Sequence, residues 1–201
     1  MLVAAALAGD RAAFAAIVHR YQGPLLHAAR SRLGQRELAE DAVQEAFLCA
    51  LKWLSSYDSR YSFRTWLWTI LLNQCTRIGQ KQARAENRSE SGAMRAATTQ
   101  VSNTVVGQRE RVSSEASPVE LLLRRERVEQ LHELLARLPE VQADALRLRF
   151  FGGLKFQEIA DAMGISESGA KNRVKLALVQ LAQWLQAEQS EAGPNEVGDQ
   201  R

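Results

Sequence analysis

Apolar residues recur three and four positions apart in two long blocks of the chain, and this spacing places them on one face of an α-helix. The first block runs from about Asp10 to Arg84, and the second runs from Val119 to about Leu185. No segment shows the strict alternation bounded by turns that is typical of a strand. The pattern therefore predicts an all-α fold made of two small helical domains.

Residues 85–118 separate the two blocks and are rich in Ser, Thr, Gln, Asn and Arg, without a sustained period. Such a composition predicts a flexible linker. Residues 187–201 are polar and contain Gly and Pro, which predicts a frayed tail. The predicted domains therefore cover residues 10–84 and 119–186.

Each block divides further into helices. The first block has a stripe interrupted at Gly23-Pro24, a stripe that ends near residue 54, and a third helix from about Phe63. In the second block a stripe stops at Pro139, because proline disfavours helix before it, and a new helix follows from about Glu140. The stripe residues are Phe14, Ile17, Val18 and Tyr21, then Val43, Phe47, Leu51 and Leu54, then Leu122, Val128, Leu131, Leu135 and Leu138.

The segment from Phe156 to Leu181 has the layout of a helix-turn-helix. A short amphipathic helix ends at Gly164, which can adopt the left-handed conformation, and Ser166 can cap the next helix. Positions that face inward on that helix are Ala170, Val174, Ala177, Leu181 and Leu185. Outward positions near its start, as on a DNA recognition helix, are Ser168, Lys171, Asn172 and Lys175. An ordinary helix pair with solvated lysines is the alternative.

The formal net charge of +3, from 26 basic and 23 acidic side chains, does not by itself indicate nucleic-acid binding. The distribution is more informative, because the stretch from Arg60 to Arg84 holds five basic side chains and no acidic one. Aromatic residues interleave with these charges, as in sites that hold unstacked bases. This stretch is therefore a candidate surface for DNA.

An acidic stripe lies on the second predicted helix. Glu37, Asp41 and Glu45 are spaced four apart, which stacks three like charges and slightly destabilises an isolated helix. A stripe that costs stability favours a binding role. The alternative is a solvated acidic face that Arg36 and Lys52 partly offset.

Neither a metal site nor a disulfide is expected, because the two cysteines and three histidines are scattered along the chain. No apolar run is long enough to span a bilayer, and no basic region precedes the opening apolar run, so we expect a soluble, cytoplasmic protein without membrane insertion. A phosphate loop and a zinc-protease motif are missing, so neither an enzyme nor a cofactor is expected. The scattered residues are Cys49, Cys75, His19, His27 and His132.

Residues 138–181 contain four short motifs in this order: Leu138-Pro139, Leu148-Arg149, Glu158-Ile159-Ala160 and Gly164-Ile165-Ser166. Region 4 of the sigma-70 family has the same motifs in the same order, so this segment resembles it. The resemblance implies recognition of the minus-35 promoter element by Arg149, Ser168, Lys171, Asn172 and Lys175. Leu176 and Leu178 stand where the family often has basic or aromatic residues, which predicts weaker binding by this domain alone.

Residues 37–54 resemble the family's region 2.2, which docks on the largest subunit of RNA polymerase. The resemblance implies that core polymerase contacts Asp41, Gln44, Glu45 and Leu48. Residues 57–84, with the diagnostic run SFRTWL, resemble regions 2.3 and 2.4. Minus-10 recognition then falls to Tyr57, Ser59, Arg60, Arg64, Asn73 and Arg77, whereas Phe63 and Trp66 are predicted to pack in the core.

The two-block arrangement, with no room for a region 3, is similar to the extracytoplasmic-function (ECF) group of sigma factors. The implied partners are core RNA polymerase, promoter DNA and an anti-sigma factor. A helix-turn-helix regulator that acts without polymerase is the alternative function, but it leaves the acidic stripe and the SFRTWL run unexplained. An enzyme is the third functional class, but the sequence contains no catalytic constellation.

Overall fold

The computed structural model describes the backbone of residues 2–90 and 118–191, and the side chains of residues 2–86 and 126–187. These ranges hold eight α-helices and one 3-10 turn, Leu54–Ser56, and no strand. The predicted all-α fold is confirmed. The helices are α1 (Leu2–Leu7), α2 (Arg11–Leu33), α3 (Arg36–Lys52), α4 (Phe63–Glu90), α5 (Pro118–Arg137), α6 (Glu140–Phe150), α7 (Phe156–Met163) and α8 (Glu167–Glu191).

Helices α1 to α4 form an N-terminal unit in which α3 packs between α2 and α4. The buried face of α3 is built mainly from alanines, which allow neighbouring helices to approach closely. Larger apolar side chains from α2 and α4 fill the remaining space. The buried residues are Ala39, Ala42, Val43, Ala46, Phe47 and Ala50 on α3, with Ile17, Leu25, Leu67, Ile70 and Leu71 against them.

Helix α2 runs unbroken through Gly23-Pro24, so the predicted interruption is wrong. Pro24 cannot donate the usual hydrogen bond to the carbonyl of Arg20. The free-energy cost of this missing hydrogen bond is offset because Leu25 and Ala28, just beyond the proline, are buried in the core. Packing therefore outweighs the local preference of the proline.

Helices α5 to α8 form a C-terminal unit, and α7 and α8 are the predicted helix-turn-helix. Gly164 ends α7 with φ 64° and ψ 39°, in the left-handed conformation. The Ser166 hydroxyl accepts a hydrogen bond from the Gly169 amide at 3.1 Å, which caps α8. The break at Pro139, between α5 and α6, also agrees with the sequence.

Four stripe residues predicted to face inward are exposed instead. Leu185 is 44% exposed, and Trp184 packs beside it under the Arg137 guanidinium, 4.5 Å from the ring centroid. Leu51, in the last turn of α3, follows Leu48 by three positions, shares its outer face of the helix and is likewise 53% exposed. Val128 and Leu131 are exposed on α5. The side chain of Leu122 lies outside the described residues.

The two units share one continuous apolar core. Helix α5 contacts α2, and α7 contacts α4. Helix α4 continues past residue 84 to Glu90 and α8 continues to Glu191, so the ends of the predicted linker and the start of the tail are helical. The rest of the predicted linker and tail lies outside the described residues.

Candidate functional site

The outer face of α3 carries acidic and apolar side chains together. Asp41, Gln44, Glu45 and Leu48 are spaced so that they share this face, and all but the half-buried Glu45 are exposed. Exposed Leu51 and Trp53 extend the apolar part towards the end of the helix. We call these six residues the α3 surface. An exposed apolar patch bordered by charge is typical of a protein-binding site.

The loop between the 3-10 turn and α4 is ordered by its own hydrogen bonds. The Asp58 carboxylate accepts from the Arg60 backbone amide at 3.0 Å and from Arg60 Nε at 2.8 Å. These bonds lower the pKa of Asp58. The Tyr57 hydroxyl donates to the Tyr61 carbonyl at 2.6 Å. Ser59 and Arg60 are therefore held outward and exposed.

An aromatic cluster anchors this loop to the start of α4. The Tyr57 ring lies 5.5 Å from the Phe63 ring and 5.3 Å from the Trp66 ring, measured between centroids. Phe63 is buried and Trp66 is half-buried, which agrees with the prediction that both residues pack. Burial raises the pKa of Tyr57, with a further contribution from the Asp58 charge.

Helix α4 presents two different faces. Asn73 and Arg77 are exposed on its outer face, and Arg77 approaches Glu45 of α3 at 3.4 Å. Asn73 follows Arg64 by nine residues, about two and a half helical turns, so these two side chains project in opposite directions. Arg64 instead donates to Glu158 of α7 at 3.0 Å. The structure thus brings Asn73 and Arg77 together and separates them from Arg64.

The start of α8 presents Ser168, Lys171, Asn172 and Lys175 to solvent. Lys171 forms an ion pair with Glu167 at 2.7 Å. The Arg149 guanidinium donates to the Leu154 carbonyl at 2.8 Å and lies 4.9 Å from the Phe156 ring centroid. Lys171 Nζ lies 5.9 Å from the same centroid. Phe156 therefore brings Arg149 next to the outward side chains of α8.

Within the described residues, no group of three or more His, Cys, Asp and Glu side chains could hold a metal ion. Burial raises the pKa of the Cys75 thiol to about 11, so this thiol stays protonated near neutral pH. In the same part of the chain, no helix is both long and apolar enough to cross a membrane.

Comparison with known proteins agrees with this geometry. The family model for sigma-70 region 2 matches residues 17–85, and the model for sigma-70 region 4 matches residues 128–181. The RNA polymerase sigma-H factor of Pseudomonas aeruginosa is 30% identical over 83% of this chain and 82% of its own length. The chain belongs to the sigma-70 family. Its regions 2 and 4 correspond to the N-terminal and C-terminal units.

Other relatives identify the group within the family. The ECF RNA polymerase sigma-E factor of Escherichia coli K12 is 29% identical over 83% of both chains. The RNA polymerase sigma factor NccH of Alcaligenes xylosoxydans xylosoxydans is 29% identical over 90% of this chain and 91% of that protein. This chain is an ECF sigma factor, which binds core RNA polymerase and directs it to promoter DNA.

Two solved structures share the fold of this sigma factor. CnrH, in complex with the cytosolic domain of CnrY, has a TM-score of 0.67 at 22% identity and covers 92% of this chain and 96% of its own. RpoE of Bartonella quintana, in complex with the anti-sigma factor NepR, has a TM-score of 0.63 at 20% identity and covers 86% and 96%.

Sequence reasoning missed several residues that shape these surfaces. Leu51 and Trp53 extend the α3 surface, and the spacing of three positions between Leu48 and Leu51 was the available signal that these two leucines share a face. Asp58 organises the loop, and an acidic residue two positions before Arg60 was the available signal. Glu158 accepts from the Lys155 amide at 2.8 Å as part of a capping box, which its position near the start of α7 could have suggested.

Proposed function

We propose that this sigma factor divides promoter recognition among three surfaces. The α3 surface binds core polymerase, the outer face of α4 with loop 57–62 reads and opens the minus-10 element, and the start of α8 reads the minus-35 element. The observation that carries this proposal is that each set is exposed on a different helix whose opposite face is buried. Residues 10–84 and 119–186 then act as separate reading domains joined by residues 85–118.

The chemistry of each surface fits its proposed partner. The α3 surface combines carboxylates, which can complement a basic polymerase surface, with apolar side chains that lose water on docking. Asn73 and Arg77 can contact an unpaired base and a phosphate, respectively. Asn172 can form paired hydrogen bonds to a base edge, whereas Lys175 is better suited to a phosphate.

The proposal requires no catalytic group or cofactor in the sigma factor, because the polymerase performs the chemistry. It also locates the protein in the cytoplasm, where bacterial transcription takes place. We further propose an anti-sigma partner for this chain. Support comes from the similar Bartonella quintana structure, in which RpoE is in complex with the anti-sigma factor NepR, and from the exposed apolar side chains of the α3 surface.

Run-off transcription tests the function as a whole. Purified core polymerase and the full chain are combined on the promoter upstream of the protein's own operon. We expect a single discrete transcript that requires the chain. Transcripts of equal amount without the chain, or tight operator binding by the chain without polymerase, would instead support the helix-turn-helix regulator.

Replacing Asn73 with Ala should reduce promoter opening more than closed-complex formation, because an unstacked base is available for contact only after melting. Loss of one contact to a flipped or stacked base, about 1–3 kcal/mol, corresponds to roughly five- to 150-fold less open complex. Permanganate reactivity of the minus-10 thymines measures opening, and a gel-shift assay on ice measures the closed complex. If Asn73→Ala opened the promoter as well as the parent does, the pocket for the unstacked base would have to lie elsewhere.

Asn172 and Lys175 should have different effects on upstream recognition. Asn172→Ala should change which minus-35 sequences are preferred, by about 1–3 kcal/mol at one base pair, because it removes a base contact. Lys175→Ala should weaken all sequences alike and reduce the salt dependence, because it removes a phosphate contact. Competition by a randomised upstream element in the polymerase complex distinguishes the two patterns. The assignment is wrong if Lys175→Ala alters the preferred sequence and Asn172→Ala does not.

A further inference from the structure

A buried carboxamide on α4 has only one of its two polar atoms satisfied. Gln74 is 7% exposed, and its Nε2 donates to the thiol sulfur of Cys49, on α3, at 3.3 Å. Its Oε1 is buried and has no hydrogen-bond partner among the described residues. A buried acceptor without a partner costs stability, so its presence calls for a physical reason. The oxygen belongs to the same planar group as the nitrogen that contacts the thiol, so it lies beside Cys49.

The reduced thiol of Cys49 is a poor partner for this carboxamide. A thiol is a weak donor and a weak acceptor, and this sulfur already accepts from Nε2 of Gln74. A sulfenic acid, in which the sulfur carries a hydroxyl group, is a better partner. Its oxygen can accept from Nε2 while its hydrogen donates to Oε1. One added hydroxyl group therefore satisfies both ends of the Gln74 side chain.

The two cysteines differ in their access to an oxidant. Cys75 is 1% exposed, and burial raises its pKa to about 11, so the reactive thiolate is scarce near neutral pH. Cys49 is half-buried and lies in the last turn of α3, next to exposed Leu48. Oxidation of a cysteine follows its thiolate character and its exposure. Cys49 is therefore the cysteine that a small oxidant reaches.

Cys49 also borders the surfaces that region 2 presents. On α3 it follows Glu45, a member of the α3 surface, by four positions, which is about one helical turn. On α4, Gln74 follows Asn73 directly, and Arg77 pairs with Glu45 at 3.4 Å across the two helices. A group attached to the Cys49 sulfur therefore lies at the edge of the α3 surface, on the side of α4.

We propose that Cys49 is a site of reversible oxidation by hydroperoxides, and that Gln74 stabilises its sulfenic acid. The Cys49 thiolate attacks one oxygen of the peroxide, so an S–O bond forms and the O–O bond breaks. With hydrogen peroxide, the leaving hydroxide takes up the proton that the thiol released and becomes water. The sulfur loses two electrons and the peroxide gains them.

A low-molecular-weight thiol such as glutathione takes the reaction further. Its sulfur attacks the sulfenyl sulfur of Cys49, an S–S bond forms, and the S–O bond breaks with release of water. The mixed disulfide places a bulky group at the edge of the α3 surface and blocks docking of core polymerase; this consequence rests on the proposed function. Exchange with a further thiol restores Cys49 and the docking surface.

Trapping with dimedone tests the site in the full chain. After brief treatment with hydrogen peroxide, peptide mass spectrometry should find the adduct on Cys49, and at most about a tenth as much on Cys75. Gln74→Leu removes the carboxamide at similar volume and should shorten the lifetime of the sulfenic acid about tenfold, the loss expected for two hydrogen bonds. Gln80→Leu, at an exposed position of α4, is the matched control and should leave the lifetime unchanged.

Alkylation by iodoacetamide separates stabilisation of the sulfenic acid from a change in access. The rate at Cys49 should differ between the parent and Gln74→Leu by less than about threefold, because the hydrogen bond that the thiol loses is weak. If Gln74→Leu loses helical content by circular dichroism, Gln74→Met, whose flexible side chain fills the same space, replaces it. Absence of the adduct from Cys49 would overturn the proposal. An equal lifetime in the parent and the variant would also overturn it, and water would then satisfy Oε1.

Binding to core polymerase tests the consequence of the modification. The sigma factor is treated with peroxide and glutathione and freed of reagents, and its affinity for immobilised core enzyme should fall at least about tenfold and return with dithiothreitol. Cys49→Ser should bind like the untreated parent before and after treatment. Equal binding by the oxidised and the reduced parent would remove the regulatory role. A reduced parent that does not bind core polymerase would contradict the proposed function, and the dimedone adduct would still show whether Cys49 is the oxidised residue.

Discussion

Reversal of two charges, in the variant Asp41→Lys with Glu45→Lys, should abolish co-purification of this sigma factor with core polymerase. Both residues lie on the α3 surface, and their replacement turns an attractive field into a repulsive one for a basic partner. Coupling energies of close charge pairs across interfaces are about 1.5–7 kcal/mol, so the loss of affinity should exceed about a hundredfold. Biolayer interferometry with immobilised core enzyme measures this loss of affinity.

The same net change of charge elsewhere provides the control. Glu129 and Glu133 are exposed on α5, and their replacement with Lys should leave core binding within about twofold of the parent. Circular dichroism should be unchanged in both double variants, because the replaced side chains lie outside the core and surface ion pairs such as Glu45–Arg77 contribute little stability. Equal core binding by both double variants would remove α3 from the docking surface.

Local sequence signals predicted the helix-turn-helix well. Gly164 and Ser166 have the conformations that their positions suggested, because each acts through backbone geometry within a few residues. The exposure of Lys171 and Asn172 followed from the helical period alone. The relative placement of the residues predicted to contact the minus-10 element was less accessible to sequence reasoning: Asn73 and Arg77 share the outer face of α4, but Arg64 lies on the opposite side of that helix.

The contacts between the units could not be predicted, because they depend on residues far apart in the chain. Arg147 and Ser31 are separated by 116 positions, and nothing near either residue indicates the other. The same limit explains the wrong interruption at Pro24. Burial of Leu25 against the neighbouring helices keeps α2 continuous, and that gain is invisible in the local preference of a glycine-proline pair.

Gly152→Ala should be the most destabilising small substitution in the turn between α6 and α7. A Cβ atom there would lie 2.6 Å from the Leu148 carbonyl oxygen, 2.6 Å from a methyl carbon of Leu154 and 3.1 Å from the Trp68 ring. The carbonyl accepts the Leu154 amide at 3.1 Å, and the Leu154 side chain is fully buried, so neither neighbour can move freely. Overpacking of this kind costs about 1–3 kcal/mol.

Urea denaturation followed by circular dichroism measures this loss. Gly79→Ala is the matched control, since a Cβ there would lie 3.7 Å from a methyl carbon of Leu33, an ordinary contact, and the residue lies inside α4. It should stabilise the chain by roughly 0.5–1 kcal/mol, because alanine loses less backbone entropy than glycine in a helix. Trp68→Phe combined with Gly152→Ala should recover only a minor part of the loss, since the contact with the Leu148 carbonyl remains. A midpoint for Gly152→Ala equal to that of the parent would show that the turn does not approach Leu148 so closely.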